Sequence, residues 1–146
     1  MFEKLFLLVK NNAGASVMNN PVVPAEHREA VINEASSSII EVLKNQMDSG
    51  KLKDLVKYFQ FSAIYDNPLI NSTVNRFANK LNNFYNIGTA EAMKIADELI
   101  PPVMHELMEQ SKAGQNKEFA LSTILNKVSG NNVADMGTLL NQMRIA

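Results

Sequence analysis

The sequence predicts an all-α fold, a compact multi-helix bundle of about seven helices, and three observations predict it. Apolar residues recur three and four positions apart in almost every segment, which places them on one face of a helix. No segment alternates apolar and polar residues with period two, as a half-buried strand would. Proline, glycine and asparagine clusters interrupt the periodic stretches where a helix must stop and a turn begin. The 146 residues, 46% of them hydrophobic and 20% charged, predict one domain spanning the chain, long enough to bury about 70% of its unfolded surface.

Residues 2–10 read as a short helix, with Phe2, Leu5, Phe6 and Val9 on one face. Residues 11–24 hold Gly14, Pro21 and Pro24, so they read as a loop, with at most a turn of helix at 15–18. Pro24-Ala25-Glu26 opens the next helix: proline suits a first turn, where its missing N–H has no intrahelical acceptor, and Glu26 and Glu29 complement the positive helix end. Val31, Ala35, Ile39 and Val42, flanked by Ile32, Ile40 and Leu43, form a stripe wide enough to need neighbours on more than one side. Ser36, Ser37 and Ser38 are small enough to let another helix approach, and Gly50 is a natural stop.

A third helix spans 52–65, with Leu52, Leu55, Val56, Phe59 and Ala63, and Asp66-Asn67-Pro68 ends it. The fourth, 68–86, carries Ile70, Val74, Phe77, Leu81 and Phe84 on one side. Around its other side run Asn67, Asn71, Asn75, Asn79, Asn82 and Asn86. Thr89 caps a fifth helix, whose adjacent stripes are Leu99, Val103, Leu107 and Ile100, Met104, Met108. Pro101-Pro102 inside it predicts a kink, or a helix ending near Leu99 and another starting at Pro101. Two more helices, 117–128 and a short one carrying Met136, Leu139, Leu140 and Met143, complete the chain.

Sliding the chain by 64 residues aligns 33–67 with its own second half: Glu34 meets Glu98, Leu43 Leu107, Gln46 Gln110, Gly50 Gly114 and Asn67 Asn131. Phased amphipathic helices explain the matched apolar positions, but not helix starts and stopping glycines falling in step. The chain therefore divides as an N-terminal helix and loop (1–20) and two copies of a three-helix unit (24–86 and 89–146).

Composition removes whole classes of function. A net charge of −1 with no basic block gives no footprint for nucleic acid. With no cysteine there is no disulfide, thiol chemistry or Cys-ligated zinc. The apolar run 5–9 is shorter than a signal-peptide core and no stretch approaches a membrane span, so membrane attachment is disfavoured and the cytoplasm is the default.

The short apolar N-terminal helix, the Pro24-Ala25-Glu26 start, the run Ser38-Ile39-Ile40-Glu41-Val42-Leu43 and the later Leu99-Ile100-Pro101-Pro102-Val103-Met104-His105-Glu106-Leu107 together resemble the YidB-like bacterial proteins of unknown function. The resemblance covers residues 1–112 and implies a bacterial all-helical protein without an assigned activity. It brings no catalytic residue. The chain departs from it in using asparagine where such proteins are glycine-rich.

Candidate chemistry is sparse. Of the two histidines, His27 lies in the first turn of its helix beside Glu26 and Arg28 and faces solvent. Glu98, His105 and Glu109 share one helical face if that helix is unbroken, but span about 16 Å, too far for one ion. His105 and Glu109 alone could supply two ligands of a metal-dependent or small-ligand helical enzyme, which is the alternative reading. A surface ion pair is the plainer one. There is no Gly-x-Ser-x-Gly elbow and no glycine-rich phosphate loop, so no cofactor is expected. The leading reading is a non-enzymatic module that binds a protein partner or itself. Its surface would be the methionines of the second copy (Met93, Met104, Met108) or the asparagine row (Asn71, Asn75, Asn79). Methionine more commonly fills gaps in a core, and an amide face is more often simply hydrated.

Overall fold

Five α-helices carry the residues that the computed structural model describes, 2–60 and 67–113, and no strand occurs among them. They are α1 (Phe2–Asn12), α2 (Arg28–Asp48), α3 (Leu52–Gln60), α4 (Pro68–Tyr85) and α5 (Thr89–Ala113). The predicted helices 117–128 and 136–143, and the end of the third beyond Gln60, lie outside the described residues.

Local chemistry accounts for most boundaries. The loop after α1 contains one π-helical turn, Gly14–Met18, where the sequence allowed a turn of helix. Pro24 precedes a 3-10 turn, Ala25–His27, that leads into α2. Gly50 follows α2 at φ +72°, a left-handed conformation that a side chain would strain. The Asn67 side chain caps α4 by accepting the N–H of Leu69, and Pro68 occupies the first turn. At the other end Asn86 takes the left-handed conformation (φ 54°), which lets the Ile87 N–H return to the Leu81 carbonyl at 3.3 Å.

Of the two outcomes expected at Pro101-Pro102, a kink or a split helix, the split does not occur. α5 is one helix of 25 residues with Pro101 and Pro102 inside it. The missing N–H groups leave the carbonyls of Asp97 and Glu98 without intrahelical donors, but both residues are exposed and Pro102 is too. Water can satisfy those carbonyls, while Leu99, Ile100, Val103 and Met104 on the opposite side stay wholly buried. Packing of the inner face holds the helix together where local sterics alone would break it.

The core lies between α2, α4 and α5, with α1 laid across α2 and α5 and α3 touching the other three. Ile32, Ile39, Leu43, Phe77, Leu81, Ile95 and Leu99 are among its fully buried side chains. Leu5, Leu8 and Val9 attach α1 to it, while Leu7 points outward. Ser36 and Ser38 are buried as the close approach required, each hydroxyl donating to a carbonyl one turn back (Ile32 and Glu34). Phe84 departs from its stripe. It continues the apolar side of α4 but is 71% exposed, since it lies at the helix end beyond its core neighbours. No helix of the described residues is long and apolar enough to cross a membrane.

Candidate functional site

The methionines and the asparagines fare differently. Met104 and Met108 are completely buried, and Met93 packs half-buried against the core. The first two are core side chains and present no surface to a partner. Asn71, Asn75 and Asn79 are all exposed on α4.

The wider asparagine row divides into two chemical groups. Asn67 is buried, caps the helix and reaches the carbonyl of Tyr58 at 3.4 Å. Asn82 donates to the carbonyl of Ile87 at 2.9 Å and so ties the end of α4 to the turn before α5. Asn86 is the left-handed cap. Those three serve the fold. The side-chain amides of Asn71, Asn75, Asn79 and Asn83 make no hydrogen bond among the described residues. They repeat every fourth residue, so they form one inclined ridge along the helix.

None of the fully exposed residues of α4 is charged. The exposed residues of α4 are Pro68, Asn71, Ser72, Asn75, Asn79, Asn82, Asn83 and Phe84. The two basic side chains of α4, Arg76 and Lys80, are drawn sideways onto α2. Arg76 donates to Glu41 at 2.7 Å, and Lys80 donates to Glu41 and lies 3.4 Å from Glu34. Two cations and two carboxylates thus cancel within one cluster. Partial burial pushes the Glu41 carboxyl up, but hydrogen bonds from Lys80 and Arg76, with their charges, outweigh it and hold the group below its ordinary range. Near the same end of the helix pair, Tyr85 meets the edge of His27 at 5.8 Å, and burial, reinforced by the charge of Glu34, raises its phenol.

Between α2 and α4, beside this cluster, runs a groove of about 470 Å³. Asn45 and Gln46 line it from α2, and Ser72, Arg76, Asn79 and Asn83 from α4. The Gln46 Oε1 atom is buried without a hydrogen-bond donor among the described residues, which is costly for an acceptor removed from water. No spacing rule within one helix could have found this groove, because its two walls lie more than twenty residues apart in sequence.

Glu98, His105 and Glu109 lie exposed along α5, which is unbroken as their alignment required. The described residues contain no group of three or more acidic, histidine or cysteine side chains placed to hold a metal ion. Their neighbour Glu106 instead accepts a hydrogen bond from Asn12 at 3.1 Å and helps fasten α1. His27 is exposed, as its place in the first turn implied. With the fold and this surface in view, no family model, no curated protein and no solved structure matches the chain.

Proposed function

We propose that this protein is a non-enzymatic helical module that binds protein, and that it does so through the uncharged amide face of α4 and the groove beside it. One observation carries the reading. Asn71, Asn75, Asn79 and Asn83 stand exposed, without a side-chain hydrogen bond among the described residues, on a helix they weaken. Asparagine in a helix interior is less favourable than alanine, glutamate or lysine by roughly 0.5 kcal/mol per residue. An ordinary solvated face uses charged helix formers, whereas the centres of protein interfaces are depleted of charge. Unpaired amides offer donors and acceptors together.

Incorporating a photo-crosslinking residue at Asn75, and separately at Lys94 on α5, tests this in cells. Defined adducts from position 75 and none from position 94 are expected. Equal or absent labelling at both would remove the reading.

The duplication belongs to the same proposal. Aligned by the shift of 64, α2 and α5 bury Val31 with Ile95, Ala35 with Leu99, Ile39 with Val103 and Leu43 with Leu107, and leave Gln46 and Gln110 both half-buried. They diverge where Val42 is buried and Glu106 exposed. The kinship with YidB-like bacterial proteins is likewise part of this reading, resting on the helix start at Pro24 and the run through Pro101-Pro102.

A further inference from the structure

Resting on that reading, we infer that the protein bound by the α4 face is a second copy of this chain, arranged as a two-fold dimer with the two α4 helices crossing at Asn75 and Asn79. In a two-fold contact every residue near the axis meets its own kind or its symmetry mate. A charged face would there be set against like charge. An amide meets an amide as donor to acceptor and acceptor to donor, so an asparagine ridge is complementary to itself. A foreign partner imposes no such condition, since it can answer any charge with the opposite one. The fully exposed residues of this face carry no charge, and Arg76 and Lys80 are neutralised by Glu41 and Glu34 at its flank, so a self-contact meets no like-charge repulsion near the axis.

The geometry agrees. Asn71, Asn75, Asn79 and Asn83 form a ridge of four-residue steps, and ridges of that kind on two helices interdigitate at a crossing angle of about 50°. Their short side chains permit helix axes to approach to about 8–10 Å. Antiparallel copies centred between Asn75 and Asn79 would set Asn75 against the partner's Asn79 and Asn71 against the partner's Asn83. The second helix then runs beside the α2–α4 groove. A crossing of one helix per copy covers less than the roughly 800 Å² per partner of a standard interface, so the dimer belongs to the weak, concentration-dependent class.

Sedimentation velocity from about 10 µM to about 1 mM tests this with the full chain and two double variants, N75D/N79D and N75K/N79K. Wild type is expected to shift from monomer to dimer across that range. Each variant alone should remain monomeric, its dissociation constant raised more than about tenfold, because like charges meet across the axis. An equimolar mixture of the two should dimerise again, which a loss of folding could not imitate. Circular dichroism of each variant should match wild type, as all four substitutions are on exposed positions.

Three outcomes would overturn the inference: a wild type that stays monomeric throughout, a dimer that both variants leave intact, or a mixture that fails to re-associate. A monomer whose Asn75 crosslinks to a foreign protein would leave the proposed function standing and the second copy excluded. Absence of both dimer and adducts would end both.

Discussion

α4 and α5 pack against each other more extensively than any other pair of described helices, yet their outer faces have opposite chemistry. α5 shows solvent Glu91, Lys94, Asp97, Glu98, His105, Glu106 and Glu109. α4 shows amides, a serine, a proline and one phenylalanine, with its two cations folded onto α2. Both helices perform the same task inside. Phe77, Leu81, Leu99 and Val103 are all buried, and neither inner face is more polar than the other. The difference therefore does not come from the core. α5 has the surface that hydration and helix propensity favour; α4 has one that they do not.

The largest effects should come from the inner faces and should not distinguish the helices. Phe77→Ala and Leu99→Ala are each expected to lower stability by about 3–5 and 2–5 kcal/mol, measured by urea unfolding. A loss under about 1 kcal/mol for one alone would mean that its helix is peripheral, and the comparison of outer faces would lose its footing.

The outer faces should then separate. Asn75→Ala with Asn79→Ala is expected to stabilise the monomer by roughly 1 kcal/mol in the same experiment at low protein concentration, through helix propensity alone. Lys94→Ala with Glu98→Ala, both exposed on α5, should change it by no more than about 0.5 kcal/mol. If the alanines on α4 destabilise instead, its amides serve the fold and their exposure has no functional meaning.

The smallest effect concerns the cluster that clears α4 of charge. The Glu41 carboxyl titrates below its ordinary range when folded, so its contribution is present above the unfolded value near pH 4 and fades as pH falls through the lower folded value. Because the pair is well exposed, that contribution is below about 1 kcal/mol. Thermal unfolding of Glu41→Gln should show a shallower loss of melting temperature below pH 4 than wild type. Parallel acid profiles would show that the cluster does not hold Arg76 and Lys80 away from the face.

Helix ends were the most legible part of the sequence, because their chemistry is local. Asn67-Pro68 and Gly50 act through their own backbone angles and side chains, whereas Asn86, read as the last member of the amide row, is the left-handed cap of α4. Three features escaped for different physical reasons. Periodicity gives the angle of Phe84 around α4 but not whether a neighbour reaches that far, and none covers it. Met104 and Met108 were placed correctly beside Leu99 and Val103, yet composition cannot tell a lined groove from a filled core, and they fill the core. The proline pair obeyed its steric rule, but buried contacts outweighed it. Of the candidate site, the ridge of amides was visible as a repeat. The cluster that neutralises its flank was not, because Glu41 and its partners are 35 and 39 residues apart.

The proline pair also shapes how α5 should come apart. Two consecutive residues without amide hydrogens leave a blank in the exchange map and a missing rung on each of the two carbonyls one turn earlier. Residues 89–97 are bound mainly through Ala92, Ile95 and Ala96, and residues 103–111 through Val103, Met104, Leu107 and Met108. A helix joined at such a seam can release one half while the other remains docked. Deuterium uptake should therefore rise in two steps along α5, with the boundary at Pro101, although the helix runs unbroken from Thr89 to Ala113.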